Sequence, residues 1–522
     1  MFRIVYTLLL SFLLVAISQD ASACSQKVYI DQSASMSTLF KQPRVTYIVQ
    51  GVVDLHGKTF QIPEDCTLSL AHGALVNGVL NGNQTKLKNA TRNSIGVVLS
   101  GSWACSSFSD LAFQDRYLTD NQIFACINSL QSDNVKQKIC IERTEYHCDI
   151  PKNDGALLVL TSNTTLRIGS TISINGNDFT SYNVIRIKGK NNVTVSGGEI
   201  HGDVGKHQYA LNNSSQWGHG INIHSSSNVS ISDIVITHCI GDGIAISGGN
   251  EEHIGDYSSA SHNVNLSNVT ARYNRRQGLS IIHASDVIVR NCNFSDTGVI
   301  EKHSPSAGID IEPNTASPYF QAVRNVSIVN CTIYSNVGYG ILSNHYENHN
   351  GMESVENVVF KDCSTDSRVV LYTGGIHFED CSMKQLSISA EKDPIIGARF
   401  ILCHIAGGDG VQFYCPNGGK DVSTKIGDIL FDGCDISATK DIASTSQGIL
   451  WSNGKTSRLR NVSMRNCKIS IPKTAPSRFK LLGDEEADIR FENCDINIPG
   501  RLFPVDKARR SNCKIISSNI NE

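Results

Sequence analysis

Three acids, Asp242, Asp310 and Glu312, stand at related places in a phrase that this chain repeats: a glycine, then apolar residues alternating with polar or small ones. The phrase reads GHGINIH at Gly218–His224, GDGIAIS at Gly241–Ser247, RQGLSII at Arg276–Ile282, AGIDIEP at Ala307–Pro313 and GYGILS at Gly338–Ser343. Arg275, Arg276, Gln277, His219, His224 and Trp217 lie in or beside the same phrases. Carboxyl groups held close together can divide acid and base duties between them, one protonating a leaving oxygen while another stays ionised. The arginines and Gln277 suit polar contact with a substrate, either histidine can take or give a proton near neutral pH, and Trp217 offers a face on which a sugar can stack. Asp310 and Glu312, two residues apart, also present the oxygen ligands that calcium prefers; no other metal set is evident.

Period-two alternation marks strands, and recurrence at 20–50 residues marks a repeat architecture. The glycines Gly220, Gly243, Gly278, Gly308 and Gly340 are spaced by 23, 35, 30 and 32 residues. Aligning them stacks Ile221, Ile244, Leu279, Ile309 and Ile341 in one inward row and Ile223, Ile246, Ile281 and Ile311 in another. Outward rows then carry His219, Asp242 and Gln277; Asn222, Ser280 and Asp310; and His224, Ser247 and Glu312. Strands about 4.8 Å apart, with same-face side chains about 7 Å apart, make His219 and Asp242 neighbours on adjacent coils. The same spacings separate the Asp242 and Asp310 backbones by roughly 14 Å. These are coils of a parallel β-helix.

The rest of the chain is consistent with one solenoid. Residues 24–154 read as N-terminal strands and a capping region, with a coil rhythm over residues 45–100 and one amphipathic helix over Asp120–Leu130; residues 155–522 read as the β-helix. Asn228, Asn263, Asn325, Asn357 and Asn461 each precede valine, where a turn asparagine takes a left-handed corner rather than serving as a glycan acceptor. Cys292, Cys331, Cys363, Cys381, Cys403, Cys434, Cys467, Cys494 and Cys513 recur at one phase, as a ladder of buried thiols. Cys105, Cys126, Cys140 and Cys148 are candidates for disulfides. His201, His207 and Tyr209 precede the array and are candidates for one wall of a cleft, and Tyr339 borders it. The formal net charge is −3, with no basic stripe, which argues against nucleic acid. Arg3, the apolar run Ile4–Ile17 and Ala21-Ser22-Ala23 read as a signal peptide over residues 1–23. Cys24 behind it is a possible lipid anchor, the sole membrane attachment expected, so the protein is exported: periplasmic, outer-membrane-anchored or secreted.

The order and spacing of these segments resemble the polygalacturonases, glycoside hydrolases of the pectate lyase-like superfamily, across roughly residues 190–345. GHGINIHSSSNVSISDIVITHCIGDGIAISGG matches the framework of that family's first two catalytic segments, and GLSII with NCNFSDTG and GIDIEP matches the last two. The resemblance implies an all-β chain, a single right-handed parallel β-helix with an N-terminal helical cap, acting on a polysaccharide or oligosaccharide. It makes Asp242 the general acid. His219 stands in place of the family's first aspartate, Gly243 of its third, and Gln277 of its histidine. Asp310 and Glu312 replace the arginine and lysine that grip a uronate, which reverses the charge and argues against polygalacturonate. Three functions follow: a glycoside hydrolase using Asp242, Asp310 and Glu312 without a cofactor; a lyase or epimerase of a uronate-containing glycan, with calcium on Asp310 and Glu312; or a glycan-binding surface protein without turnover.

Overall fold

The computed structural model describes residues 26–521 apart from 211–214, 250–257, 315–319, 345–353, 390–394, 408–409, 415–424, 438–450, 454–457, 471–487 and 500–511. The signal segment and Cys24 lie outside the described residues.

Two compact units divide the chain: residues 1–105 with 112–119, and residues 106–111 with 120–522. The first holds a five-stranded parallel sheet running from Lys27–Ile30 to Ile95–Ala104. The second holds two long parallel sheets of 16 and 23 strands, in which successive coils each add a rung. The repeats of alternating apolar residues therefore form the parallel β-helix that their spacing predicts.

The six strands that matter for the site are β1 (Ser181–Lys188), β2 (Trp217–His224), β3 (Asp242–Ser247), β4 (Gln277–Ile281), β5 (Ala307–Ile311) and β6 (Tyr339–Ser343). They pair in that order, with Ile221 on Ile244, Leu279, Ile309 and Ile341 in register, and Ile223 on Ile246, Ile281 and Ile311. Every member of both rows is fully or almost fully buried. The recurring glycine has a steric cause. A Cβ on Gly220, Gly243, Gly278 or Gly308 would stand 2.6–2.9 Å from the carbonyl oxygen of the glycine on the following coil, so only glycine lets the coils close to strand spacing there.

The corners behave as the turn asparagines require. Asn228, Asn263, Asn325, Asn357 and Asn461 all have φ of 51–53°. Their amides also join neighbouring coils, as in Asn263 Nδ2 to Asn228 Oδ1 at 2.7 Å and Asn357 Nδ2 to Asn325 Oδ1 at 3.0 Å. At the opposite corner the cysteines from Cys292 to Cys494 form the expected buried ladder, and all are free thiols. Hydrogen bonding to the preceding thiol, together with burial, pushes Cys331, Cys363 and Cys381 up to about 12, which keeps them inert at neutral pH. The N-terminal cysteines Cys105, Cys126, Cys140 and Cys148 are not joined in the disulfides considered for them. Burial suits a thiol as a small hydrophobe.

The helix spans Asp120–Ser129 and buries Ile123, Phe124, Cys126 and Ile127 against the first strands of the second unit. It closes the sheet edge by side chains as well as by packing. Asn128 donates to Leu157 O at 2.9 Å and accepts from Val159 N at 3.0 Å. Asn121 does the same for the backbone of Asp149 at 2.6 and 2.9 Å, and Gln131 donates to Val159 O at 3.0 Å. These amides take the place of a missing strand, since an uncovered edge leaves backbone groups without partners. Asn128→Ala is expected to cost about 1–3 kcal/mol, read as a lower thermal midpoint with unchanged circular dichroism at 20 °C.

Candidate active site

Two of the three acids, Asp242 and Glu312, meet on one guanidinium, and the third, Asp310, is joined to it through Gln277. Arg276 Nη1 donates to Asp242 at 3.1 and 3.2 Å, to Gln277 Oε1 at 3.0 Å and to Glu312 Oε1 at 3.1 Å, while Nη2 donates to Glu312 Oε2 at 3.0 Å. Gln277 Nε2 donates to Asp310 Oδ2 at 2.7 Å, and Ser280 Oγ to Asp242 Oδ2 at 2.9 Å. The backbones of Asp242 and Asp310 sit two coils apart, as the spacing requires, and the side chains of Arg276 and Gln277 bridge the gap.

The cluster is drier than an outer face would suggest. Asp242 and Asp310 are fully buried, and the Glu312 and Arg276 side chains are 10% and 9% exposed. The indole of Trp217 lies over the Arg276 guanidinium, 5.0 Å from carbon to ring centroid, and is itself 42% exposed. Period-two alternation distinguishes the two faces of a strand but not a solvated outer face from a covered one. Burial disfavours charge on the acids. It holds the Asp310 carboxyl well above the usual carboxylate range, with repulsion from Glu312 adding to it. Glu312 is raised too, burial outweighing the opposing attraction of Arg276. Among the described residues Asp310 Oδ1 has no hydrogen-bond partner, whereas Glu312 has the guanidinium on both oxygens. The pair's proton therefore belongs on Asp310.

His219 connects this buried group to open surface. Its Nδ1 accepts from the Asp242 N–H at 3.2 Å and lies 3.4 Å from Asp242 Oδ2. The backbone bond assigns the ring proton to Nε2, so the carboxylate contact is a close approach and not an ion pair. Burial, helped by Arg276, holds this imidazole below its ordinary range and keeps it neutral. On its other side His219 lines a depression of about 260 Å³ shared with Trp217, Asn222, His224, Arg186, Lys188, Asn183, Ser181 and Asp154.

Most of the residues expected at the site are thus brought together: Asp242, Asp310, Glu312, Arg276, Gln277 and His219 in the cluster, and Trp217, His219 and His224 around the depression. Arg275 is not among them. It is buried, its guanidinium lies 4.1 Å over the Tyr209 ring, and it donates to Ser215 O. The expected substrate contact by Arg275 is therefore corrected: residues 275 and 276 form a bend ahead of β4, and the two guanidinium groups leave it in different directions. Tyr209 lies under Arg275 and its hydroxyl donates to Val204 O at 2.9 Å. His207 is buried with Nδ1 2.8 Å from Asp203, a carboxylate that also takes the Tyr182 hydroxyl and Asn177. Tyr339 is occupied by Arg368, 4.4 Å from its centroid. A calcium ion on Asp310 and Glu312 does not fit this arrangement, since Arg276 takes both Glu312 oxygens and leaves one free oxygen on Asp310. Arg186 and Lys188 were missed by the glycine phrase. The signal was available in SYNVIRIK, where Arg186 and Lys188 alternate with apolar residues and pair with Asn222 and His224 of β2.

No family model matches the chain. Two curated proteins of Bacillus subtilis are similar over part of it. The uncharacterized protein YclG is 34% identical over 181 residues, 32% of this chain and 31% of that protein. The SPbeta prophage-derived uncharacterized protein YorA is 30% identical over 148 residues, 27% of this chain and 25% of that protein. The chain therefore matches under a third of the length of either relative. Among solved structures, the mannuronan C-5 epimerase AlgE6 A-module of Azotobacter vinelandii is 12% identical, with 74% of this chain and 90% of that chain covered and a TM-score of 0.36. The catalytic domain of a GH87 α-1,3-glucanase is 12% identical, with 80% and 68% covered and a TM-score of 0.41. A capsular polysaccharide depolymerase tailspike, gp49 of Acinetobacter baumannii bacteriophage Fri1, is 12% identical, with 74% and 57% covered and a TM-score of 0.37. Likeness at this level says nothing of chemistry.

Proposed function

We propose that the chain is an exported glycoside hydrolase that cleaves a polysaccharide, with its acid and base drawn from Asp310, Glu312 and Asp242. The observation that carries the reading is the unequal treatment of acids in one dry cluster. Burial and Glu312 hold Asp310 well above the usual carboxylate range and its Oδ1 meets no partner among the described residues, whereas Asp242 is paired with Arg276 and Ser280. Acid and base duties at one pH need such a division. The roles differ from those that the polygalacturonase resemblance implies, since Asp242 is the ion-paired partner and Asp310 the proton donor. Arg276 and Gln277 position the acids, and His219, donating from Nε2, orients a sugar hydroxyl. A uronate lyase would need a base at the substrate, and a neutral His219 protonated on Nε2 does not supply one. Trp217, exposed beside the cluster, is the stacking platform.

The deciding experiment measures reducing ends and unsaturated-product absorbance across a polysaccharide panel, with and without a chelator. Reducing ends without absorbance, indifferent to chelation, support the hydrolase. Absorbing product lost on chelation overturns it in favour of a lyase, and binding without turnover overturns it in favour of a glycan-binding protein. Once a substrate is found, Trp217→Ala is expected to raise KM about tenfold through lost stacking, with the thermal midpoint little changed.

A further inference from the structure

The depression beside Trp217 is lined by donors. Arg186 is held from behind: Nη2 donates to Asp154 O at 2.7 Å and Gly155 O at 3.3 Å, and the Asn183 amide oxygen, correctly oriented, accepts from Nη2 at 2.7 Å and Nε at 3.1 Å. No partner among the described residues holds Nη1. Lys188, two residues on along the same face of β1, is exposed, and no partner holds its ammonium among the described residues. His219 contributes Nε2–H. Burial, together with the neighbouring Lys188, His283 and Arg186, holds His224 below its ordinary range, so both imidazoles are neutral here and add no competing charge. The acid on this wall, Asp154, lies 3.6 Å from Arg186 with its side chain 80% exposed, where water screens it. A preset guanidinium, a free ammonium, an imidazole N–H and an exposed indole on adjacent strands recognise one kind of ligand.

We propose that this depression is a subsite for a sugar residue bearing an anionic substituent, a carboxylate or a sulfate ester, gripped by Arg186 and Lys188 while its ring lies on Trp217. The inference rests on the polysaccharide-hydrolase reading and names the class of substrate. It also resolves the charge conflict at Asp310 and Glu312. The anion sits on the β1–β2 side, away from the acids, so the bond presented to the acid cluster belongs to the neighbouring residue of the chain.

The test is affinity electrophoresis of the full-length protein in gels containing uronate polymers, sulfated polymers or neutral glucans, at low and high salt, with Lys188→Ala and Lys188→Glu as variants. Lys188 is exposed, so both variants are expected to keep the wild-type melting temperature, which is checked first. The expected result is retardation by at least one anionic polymer, weakened by salt, at least tenfold weaker in Lys188→Glu and intermediate in Lys188→Ala. Carboxyl-reduced and desulfated forms of the bound polymer then tell carboxylate from sulfate by which loses binding. Retardation by neutral glucan alone, by no polymer, or equally in all three proteins overturns the subsite. Neutral glucan hydrolysed equally by wild type and Lys188→Glu removes the subsite and leaves the hydrolase standing. Charge-sensitive binding with wild-type turnover in an Asp310 variant removes the hydrolase assignment and leaves the subsite.

Discussion

Asp310→Asn is expected to abolish most turnover, by about 10² to 10⁴-fold as for loss of a general acid, and to raise the thermal midpoint at neutral pH. The two effects have one cause. Burial and the nearby Glu312 hold the Asp310 carboxyl far above its value in the unfolded chain. Between those two values the native state binds a proton that the unfolded state has released, so stability falls as pH rises through that window. Asparagine keeps the acceptor for Gln277 and never ionises. The variant should match wild type below the ordinary carboxylate range and gain on it steadily as pH climbs, leaving a shallower slope from the raised Glu312. Thermal midpoints at a series of pH values, with turnover of the substrate found in the polysaccharide panel, check both halves. Full activity in Asp310→Asn, or a midpoint lowered at neutral pH, sinks the assignment. A residue whose removal stabilises the fold while silencing it is one retained for chemistry.

What could be read from sequence follows what repeats. The inward rows, the corner asparagines and the thiol ladder recur on coil after coil with unchanged side-chain direction, so period and phase place them. The same stacking puts His219, Asp242 and Gln277 in one column and Ser280 with Asp310 in another. What failed to repeat stayed hidden. That Arg276 turns toward the acids while Arg275 turns to Tyr209 is set at the bend ahead of β4, where period-two alternation assigns no direction. The dryness of the cluster stayed hidden too, since a covered outer face has the same alternation as a wet one. Arg186 and Lys188 alternate as clearly as any strand here, but β1 lacks the glycine that marked the others.

Arg276→Met should be the most damaging single change at the site, costing about 3–5 kcal/mol, the usual loss when a buried charge is stripped of its partner. Among the described residues the guanidinium is the one cation touching both Asp242 and Glu312, and Asp310 reaches it through Gln277. Methionine keeps bulk beneath Trp217 but leaves these acids without a counter-charge, and each can then fold only by taking up a proton. Native carboxyl values rise, so the variant's stability is best preserved in acid and lost as pH increases, more steeply than in wild type. Its midpoint should approach that of wild type near pH 4 and fall furthest behind above pH 7. Arg276→Met combined with Asp242→Asn and Glu312→Gln should recover most of the loss, because a buried ion pair and its neutral replacement are often close in energy. A single variant equally unstable at every pH, or a triple variant no better than the single, would show that Arg276 serves by packing against Trp217 and not by charge. The acid excess around one arginine is then the point of the design: two carboxylates and one cation already balance poorly in a dry site, and a third acid there must keep its proton, ready for a leaving oxygen.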